Sequence, residues 1–199
     1  MDVNVFERLN MTPNLMGLLA LVPLILLLLM AAQQDVCHYR IPNKFVLIGM
    51  VFGLTLNGLL PSGWGFNSVI PGGLGWLAAL EGFGVGLAVL LPMYWLRAMG
   101  AGDVKLMAMV GAFLGPKDVL GVVLATFVAG GVIALVMVVW SRKLASLMRN
   151  VKLMLPGSLV KASTGCLPVV DDALVSVGKL PYAVAITTGT LGYLVWQRM

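Results

Sequence analysis

Charged residues are scarce in this sequence. Asp, Glu, Lys and Arg together make up 11% of its 199 residues, against about 25% in an ordinary soluble domain. Hydrophobic residues make up 60% of the chain, and its mean hydropathy is +0.99. This composition excludes an ordinary soluble domain and indicates an all-α polytopic membrane protein. At this length we expect one membrane-embedded domain over residues 1–199.

Cysteine and histidine are also rare, with two cysteines and one histidine in the chain. Cys37 and Cys166 lie far apart and form no CxxC pair, so they give no zinc-binding pattern, and His38 has no second histidine to join it. We therefore expect no metal and no cofactor. The net charge is +5, but the basic residues are scattered between apolar runs, which indicates topology determinants and excludes a nucleic-acid surface.

The apolar residues form six runs that we interpret as transmembrane helices. These runs are Leu15–Ala32, Phe45–Leu60, Leu74–Leu96, Val104–Leu114, Val119–Trp140 and Leu180–Trp196. The fourth run begins after Asp103, is stopped by Gly115 and covers only about 18 Å as a helix, so we expect it to be buried among other helices. Three glycines in the third run predict close helix packing: Gly82, Gly84 and Gly86.

The longest segment between these runs is Ser141–Lys179. It begins with a basic stretch in which Leu144, Leu147, Met148 and Val151 recur at helical spacing. This pattern predicts an amphipathic helix that lies in the headgroup plane and is attracted to anionic membrane lipids.

Two acids stand next to apolar runs, and such residues usually mark a functional site because a charge near bilayer depth costs at least ~2.5 kcal/mol. Asp103 directly precedes the fourth run, where it can cap the helix. The two glycines before it would allow another backbone to approach closely. Asp35 follows the first run, in a polar loop that we place at Asp35–Lys44. If the two carboxylates meet, one can hold a proton while the other is charged, which is the arrangement that peptide hydrolysis by an activated water needs.

Each acid has a plainer interpretation when it is taken alone. Asp103 could be a helix cap paired with Lys105 or Arg97, and Asp35 could be a loop acid beside Arg40. The pair could instead relay ions or protons in a small membrane transporter, although the sequence shows no inverted repeat of the kind found in many transporters. A subunit without catalytic activity is a third possibility.

Three motifs resemble those of bacterial type IV prepilin peptidases. The stretch from Gly100 to Leu106 resembles the GxGD signature of that family. Asp35, followed by Arg40-Ile41-Pro42-Asn43, resembles the loop of its first catalytic aspartate, and Lys179-Leu180-Pro181-Tyr182 resembles its last-helix motif.

The resemblance implies a membrane aspartyl endopeptidase that cuts the leader from prepilins at the cytoplasmic face of the bacterial inner membrane. It makes Asp35 and Asp103 the catalytic pair and places Gly100, Gly102 and Lys105 in the active-site turn. No CxxC-bearing methyltransferase domain precedes the first run, so the chain resembles the short Flp, or tight-adherence, form, and we expect trimming without methylation.

Prepilin leaders in this family end in a basic segment. The long segment before the last run contains two acids, Asp171 and Asp172. We expect these residues to attract the basic part of the leader, although a solvated pair near Lys179 is the simpler interpretation.

The distribution of basic residues predicts which side of the membrane each loop faces. If all six runs cross, ten of the 13 Lys and Arg residues fall in the odd loops: Arg40, Lys44, Arg97, Lys105, Arg142, Lys143, Arg149, Lys152, Lys161 and Lys179. The positive-inside rule then places the odd loops in the cytoplasm and both termini on the other side.

Thiol reagents applied outside intact cells should therefore leave both cysteines unlabelled, and ready labelling of either would overturn this orientation.

Overall fold

The computed structural model describes residues 13–38, 42–59, 73–140 and 181–197. Within these ranges the backbone forms six α-helices and no strand, at the six positions that the sequence predicts. The helices are α1 (Pro13–His38), α2 (Asn43–Leu59), α3 (Trp76–Trp95), α4 (Ala101–Leu114), α5 (Pro116–Trp140) and α6 (Tyr182–Trp196). The predicted all-α architecture is confirmed, whereas the amphipathic helix predicted within 141–179 lies outside the described residues.

The helices differ in how far they could reach across a membrane. Three are long and apolar enough to cross one unaided: residues Leu21–His38 of α1, together with α3 and α5. Helices α2, α4 and α6 contain 17, 14 and 15 residues, which corresponds to roughly 21 to 26 Å. Large apolar side chains are exposed on the outer faces of five helices, α1, α2, α3, α5 and α6, as is typical of contact with lipid. The chain is an all-α polytopic membrane protein.

The shortest helix, α4, lies at the centre of the bundle. It contacts α2, α3, α5 and α6, and every residue from Asp103 to Leu114 is buried except Lys105. The expectation that the short fourth run is buried among other helices is therefore confirmed. Gly115, with φ 85°, ends α4 and passes the chain directly to Pro116 at the start of α5.

Helices α3 and α4 pack backbone against backbone and run antiparallel. A Cβ atom at Gly82 would overlap the carbonyl oxygen of Gly111, and a Cβ at Gly111 would overlap that of Gly82. One turn later in α3, a Cβ at Gly86 would lie 2.7 Å from the carbonyl oxygen of Met107. The predicted close packing is thus right for Gly82 and Gly86 and wrong for Gly84, where a Cβ would meet no atom within 4 Å.

Helix α2 runs parallel to α4 and is bonded to it near both ends. Near its start, Asn43 accepts a hydrogen bond from the Lys105 ammonium at 3.2 Å. Near its end, the buried amide of Asn57 donates to the carbonyl oxygens of Ala112 and Phe113 at 2.8 and 3.1 Å. These two carbonyls belong to the last turn of α4, where backbone acceptors lack intrahelical partners.

Helix α6 runs antiparallel to both α1 and α5. Its start meets the end of α1, where the Ala183 N–H donates to Asp35, and its end meets the start of α5, where the Tyr193 hydroxyl donates to Asp118. Because Gly115 alone joins the end of α4 to the start of α5, the end of α4 lies beside the end of α6. The starts of α4 and α6 and the end of α1 therefore share one end of the bundle, which we call the Asp35 end.

The backbone contact between α3 and α4 predicts a stability difference between two neighbouring glycines. Gly82→Ala should force the two helices apart, because the added methyl group meets backbone and not a flexible side chain, at a cost of about 1–3 kcal/mol. This corresponds to a fall in Tm of roughly 3–10 °C for a chain of this size. Gly84→Ala is the matched control and should leave Tm unchanged or slightly higher. Equal Tm values for the two variants would contradict the packing.

The two asparagines of α2 predict a second difference in stability. Asn57→Leu keeps the branched shape of the side chain but leaves unpaired the Leu74 N–H, which bonds the Asn57 side-chain oxygen at 3.4 Å, together with the two α4 carbonyls. Unpaired buried polar groups cost about 1–3 kcal/mol each, so we expect Asn57→Leu to lose at least about 2 kcal/mol. Asn43→Leu, which removes an exposed bond, should cost less than about 0.5 kcal/mol. Thermal unfolding of the purified variants in one detergent would measure both, and similar losses would refute this ranking.

Candidate active site

Asp35 lies inside α1 and not in a loop. The helix continues to His38, and α2 begins at Asn43, so the predicted loop Asp35–Lys44 is wrong at both ends. The reason is a buried stripe along α1, spaced at three or four residues: Leu21, Leu24, Leu28, Ala31 and Asp35. This stripe packs against the rest of the bundle, and Asp35 extends it by one more turn, with only 8% of its surface exposed.

The Asp35 carboxylate binds the start of α6. Its Oδ2 atom accepts a hydrogen bond from the Ala183 N–H at 2.9 Å. Ala183 is the second residue of α6, where backbone N–H groups have no intrahelical acceptor and the helix dipole favours negative charge. A bond to a helix start is expected from the sequence for Asp103 and not for Asp35, because Asp35 follows a run, but the structure shows one for Asp35 as well. One turn further along α6, the Thr187 hydroxyl lies 3.1 Å from the Leu28 carbonyl oxygen and joins the same two helices again.

Asp103 is the third residue of α4 and caps its own helix. Its Oδ2 atom accepts the Gly100 N–H at 3.1 Å, and its own N–H donates to the Gly100 carbonyl oxygen at 3.1 Å. The predicted capping role is confirmed. Gly100, whose backbone is extended, precedes the helix, and Gly102 is its second residue. Asp103 is also only 8% exposed, so this carboxylate is removed from solvent to the same degree as Asp35.

The two carboxylates lie at the same end of the bundle, each held by a helix start. The charge of Asp35 acts on the Asp103 carboxyl, and the charge of Asp103 acts in turn on the hydroxyl of Tyr182. Tyr182 is the half-buried first residue of α6, next to the Ala183 N–H that binds Asp35. From the sequence, Tyr182 is only one member of the last-helix motif, and no separate role is predicted for it.

Other residues named from the sequence lie elsewhere. Lys105 is exposed, and its ammonium donates to Asn43 on α2, so it holds α2 beside α4 near the Asp35 end. Asp171 and Asp172 lie outside the described residues, as do all residues from 141 to 180. Among residues 13–38, 42–59, 73–140 and 181–197, no three His, Cys, Asp or Glu side chains come together in a group that could hold a metal ion.

The arrangement is a buried pair of carboxylates on two different helices. Each has its Oδ2 atom bonded to a backbone N–H group, one from the start of α6 and one from the turn before α4. Two buried carboxylates that act on each other's charge resist ionising together, so states in which one of them holds a proton are favoured. A charged carboxylate and a protonated one side by side can act as general base and general acid on a single water molecule.

Comparison with known proteins adds one positive result. The model of the type IV leader peptidase family matches residues 22–135, which is more than half of the chain and includes Asp35 and Asp103. Comparisons with curated proteins and with solved structures found no match. Since the family match covers α2, α3, α4 and most of α1 and α5, the chain belongs to the type IV leader peptidase family.

Proposed function

We propose that this chain is an aspartic endopeptidase of the bacterial inner membrane that removes the leader peptide from type IV prepilins at the cytoplasmic face. Asp35 and Asp103 are its catalytic residues, and prepilins of the Flp, or tight-adherence, type are the substrates to test first. The observation that carries the proposal is the pairing of two buried carboxylates from α1 and α4 within the region that the family matches.

In this mechanism the two carboxylates divide the work between them. The ionised carboxylate takes a proton from a water molecule, which attacks the carbonyl carbon of the leader's last peptide bond. The protonated carboxyl gives its proton to the carbonyl oxygen, which leaves a tetrahedral gem-diol. The carboxyl that took the water's proton then passes it to the departing amine, and a gem-diol hydroxyl returns a proton to the first carboxylate, so hydrolysis is completed without a covalent intermediate. The backbone N–H groups of Gly100 and Ala183 orient the two carboxylates, because each binds one carboxylate oxygen.

The position of the charges supports a cytoplasmic site. In the part of the chain that the structure describes, Lys44, Arg97 and Lys105 lie at or next to the Asp35 end, whereas Lys117 lies at the opposite end, at the start of α5. Basic residues are retained on the cytoplasmic side of a membrane, so this asymmetry supports a cytoplasmic position for both aspartates.

The same features favour a peptidase over an ion or proton transporter. A relay across the membrane needs ionisable groups at successive depths, whereas Asp35 and Asp103 lie together at one end of the bundle. The family match points to the peptidase as well.

Replacing either aspartate with asparagine should abolish cleavage. Asp35→Asn and Asp103→Asn keep the size of the side chain and its acceptor oxygen but remove the titratable group, so we expect each to lower kcat by about three orders of magnitude or more. The double variant should be little worse than either single one, because the two residues act as a unit. Even Asp→Glu should cost about 100-fold, because it shifts the carboxylate by about 1 Å.

Asp118 provides a matched control. It is the third residue of α5, as Asp103 is the third residue of α4, but it lies at the opposite end of the bundle, bonded to Tyr193. Asp118→Asn should therefore keep near wild-type activity. Cleavage of a purified prepilin would be followed by gel shift and mass measurement, with the melting temperature of each variant recorded. Near wild-type cleavage by Asp35→Asn or Asp103→Asn would refute the two-aspartate mechanism.

The pH dependence provides a second check on the same mechanism. Because one carboxylate must be charged and the other protonated, kcat/KM should fall on both sides of its optimum. A profile that reaches a plateau at high pH would mean that no protonated carboxyl takes part. A chelator such as EDTA should leave the rate unchanged.

A further inference from the structure

A groove opens beside the two aspartates, between the end of α3, the connector to α4, α5 and the start of α6. Its volume is about 260 Å³. Its walls are mostly apolar and include Met93, Met99, Phe127, Gly131, Ala134 and Tyr182. The proposed mechanism uses none of these side chains.

The groove is continuous with the candidate active site at two points. Tyr182 lines the groove, and its hydroxyl lies within reach of the Asp103 charge. On the opposite wall, Met99 directly precedes Gly100, whose N–H binds the Asp103 carboxylate. Whatever occupies the groove therefore lies next to the bond on which the carboxylates act.

The α5 wall of the groove is open, unlike other parts of that helix. A Cβ atom at Gly121 would overlap the ring of Tyr193, and one at Gly130 would touch the Cβ of Ala185 at 3.5 Å. Both glycines are thus covered by α6. A Cβ at Gly131 would meet no atom within 4 Å, so a side chain there would project into free space.

Thr126 gives a reason why a peptide suits this groove better than a lipid chain. It lines the groove, it is 3% exposed, and its buried hydroxyl has no hydrogen-bond partner among the described residues. By contrast, Thr187, Thr188 and Thr190 each donate to the carbonyl oxygen four residues earlier. The hydroxyl lies against Gly189 of α6, so a rotation of the Thr126 side chain is needed to bring it to a carbonyl group of a bound peptide. Such a bond would recover the about 1–3 kcal/mol that an unpaired buried hydroxyl costs, and acyl chains in the membrane core offer no acceptor.

We propose that this groove receives one or two bulky apolar side chains of the substrate, next to the bond that is cut. The inference rests on the proposed peptidase function and adds a specificity-determining surface to it. A volume of about 260 Å³ lies below the 300–1,000 Å³ of typical drug-sized pockets, so it suits individual side chains and not a whole helix. The apolar lining selects apolar side chains, because their transfer from water to an apolar surface is favourable and their transfer from lipid costs little free energy.

The test pairs a variant that fills the groove with a change in the substrate. Gly131→Leu places an apolar side chain in the open space of the groove. Gly84→Leu is the matched control, because Gly84 is also exposed on a membrane helix with no atom within 4 Å of its Cβ, but lies outside the groove. The probes are a synthetic prepilin with a basic leader and an apolar segment after the cut, and the same prepilin with alanine in place of its first bulky apolar residues.

With the full-length chain in detergent or lipid vesicles, Gly131→Leu should raise KM for the parent prepilin at least about tenfold while kcat falls less, since lost apolar contacts are worth about 10- to 200-fold. The alanine-substituted prepilin should be a poorer substrate for the unmodified chain, and Gly131→Leu should lower its kcat/KM by a smaller factor than that of the parent. Gly84→Leu should match the unmodified chain on both substrates. Ala134→Leu, from the same wall, should repeat the pattern and serves if Gly131→Leu fails to fold.

Three outcomes separate the possibilities. If Gly131→Leu and Ala134→Leu cleave both prepilins as Gly84→Leu does, lipid or nothing occupies the groove and the inference is overturned. If both groove variants lower kcat equally on the two prepilins with KM unchanged, the groove supports the site without reading the substrate, which also overturns it. If the unmodified chain cleaves neither prepilin, the proposed function itself fails, and this inference falls with it.

Discussion

A helix of 14 residues is too short to cross a membrane on its own, and the rest of the bundle is built around that constraint. Helix α4 avoids lipid by burying nearly every residue from Asp103 onward against four neighbours. The glycines of α3 let its backbone touch α4, and Asn57 satisfies carbonyls at the end of α4 that would otherwise be unpaired. With both ends held in this way, α4 presents an acid at its start in a defined position.

The pairing of the two acids shows how tertiary contacts serve chemistry here. Asp35 is 68 positions from Asp103 along the chain, and the two belong to different helix pairs. What holds Asp35 is the free N–H of Ala183 at the start of α6, which lies 148 positions away from it. The last helix therefore contributes to the site through its backbone, which explains how Ala183 can matter without a functional side chain.

Much of this architecture was readable from the sequence, because long apolar runs and Gly-Pro breaks act locally. The runs predict all six helices, the position of Asp103 predicts the cap, and the shortness of the fourth run predicts the burial of α4. The end of α1 is an exception, because the polar residues that follow Asp35 suggest a loop there, whereas the helix continues to His38. Its spacing from Leu28 and Ala31 was the better signal, since it continues the buried face of the helix. The Ala183 contact could not be predicted, because every residue has an N–H group and only the packing decides which one meets Asp35.

The backbone contact between α3 and α4 has a mechanical consequence. Where Gly82 meets Gly111 there are no side chains to slide or change rotamer, so we expect these two helices to move together, and Asp103 with them. Asp35 belongs to a second body, because the Ala183 and Thr187 bonds tie α1 to α6. The distance between the two carboxylates therefore depends on how the α3–α4 pair, which carries Asp103, packs against the α1–α6 pair, which carries Asp35.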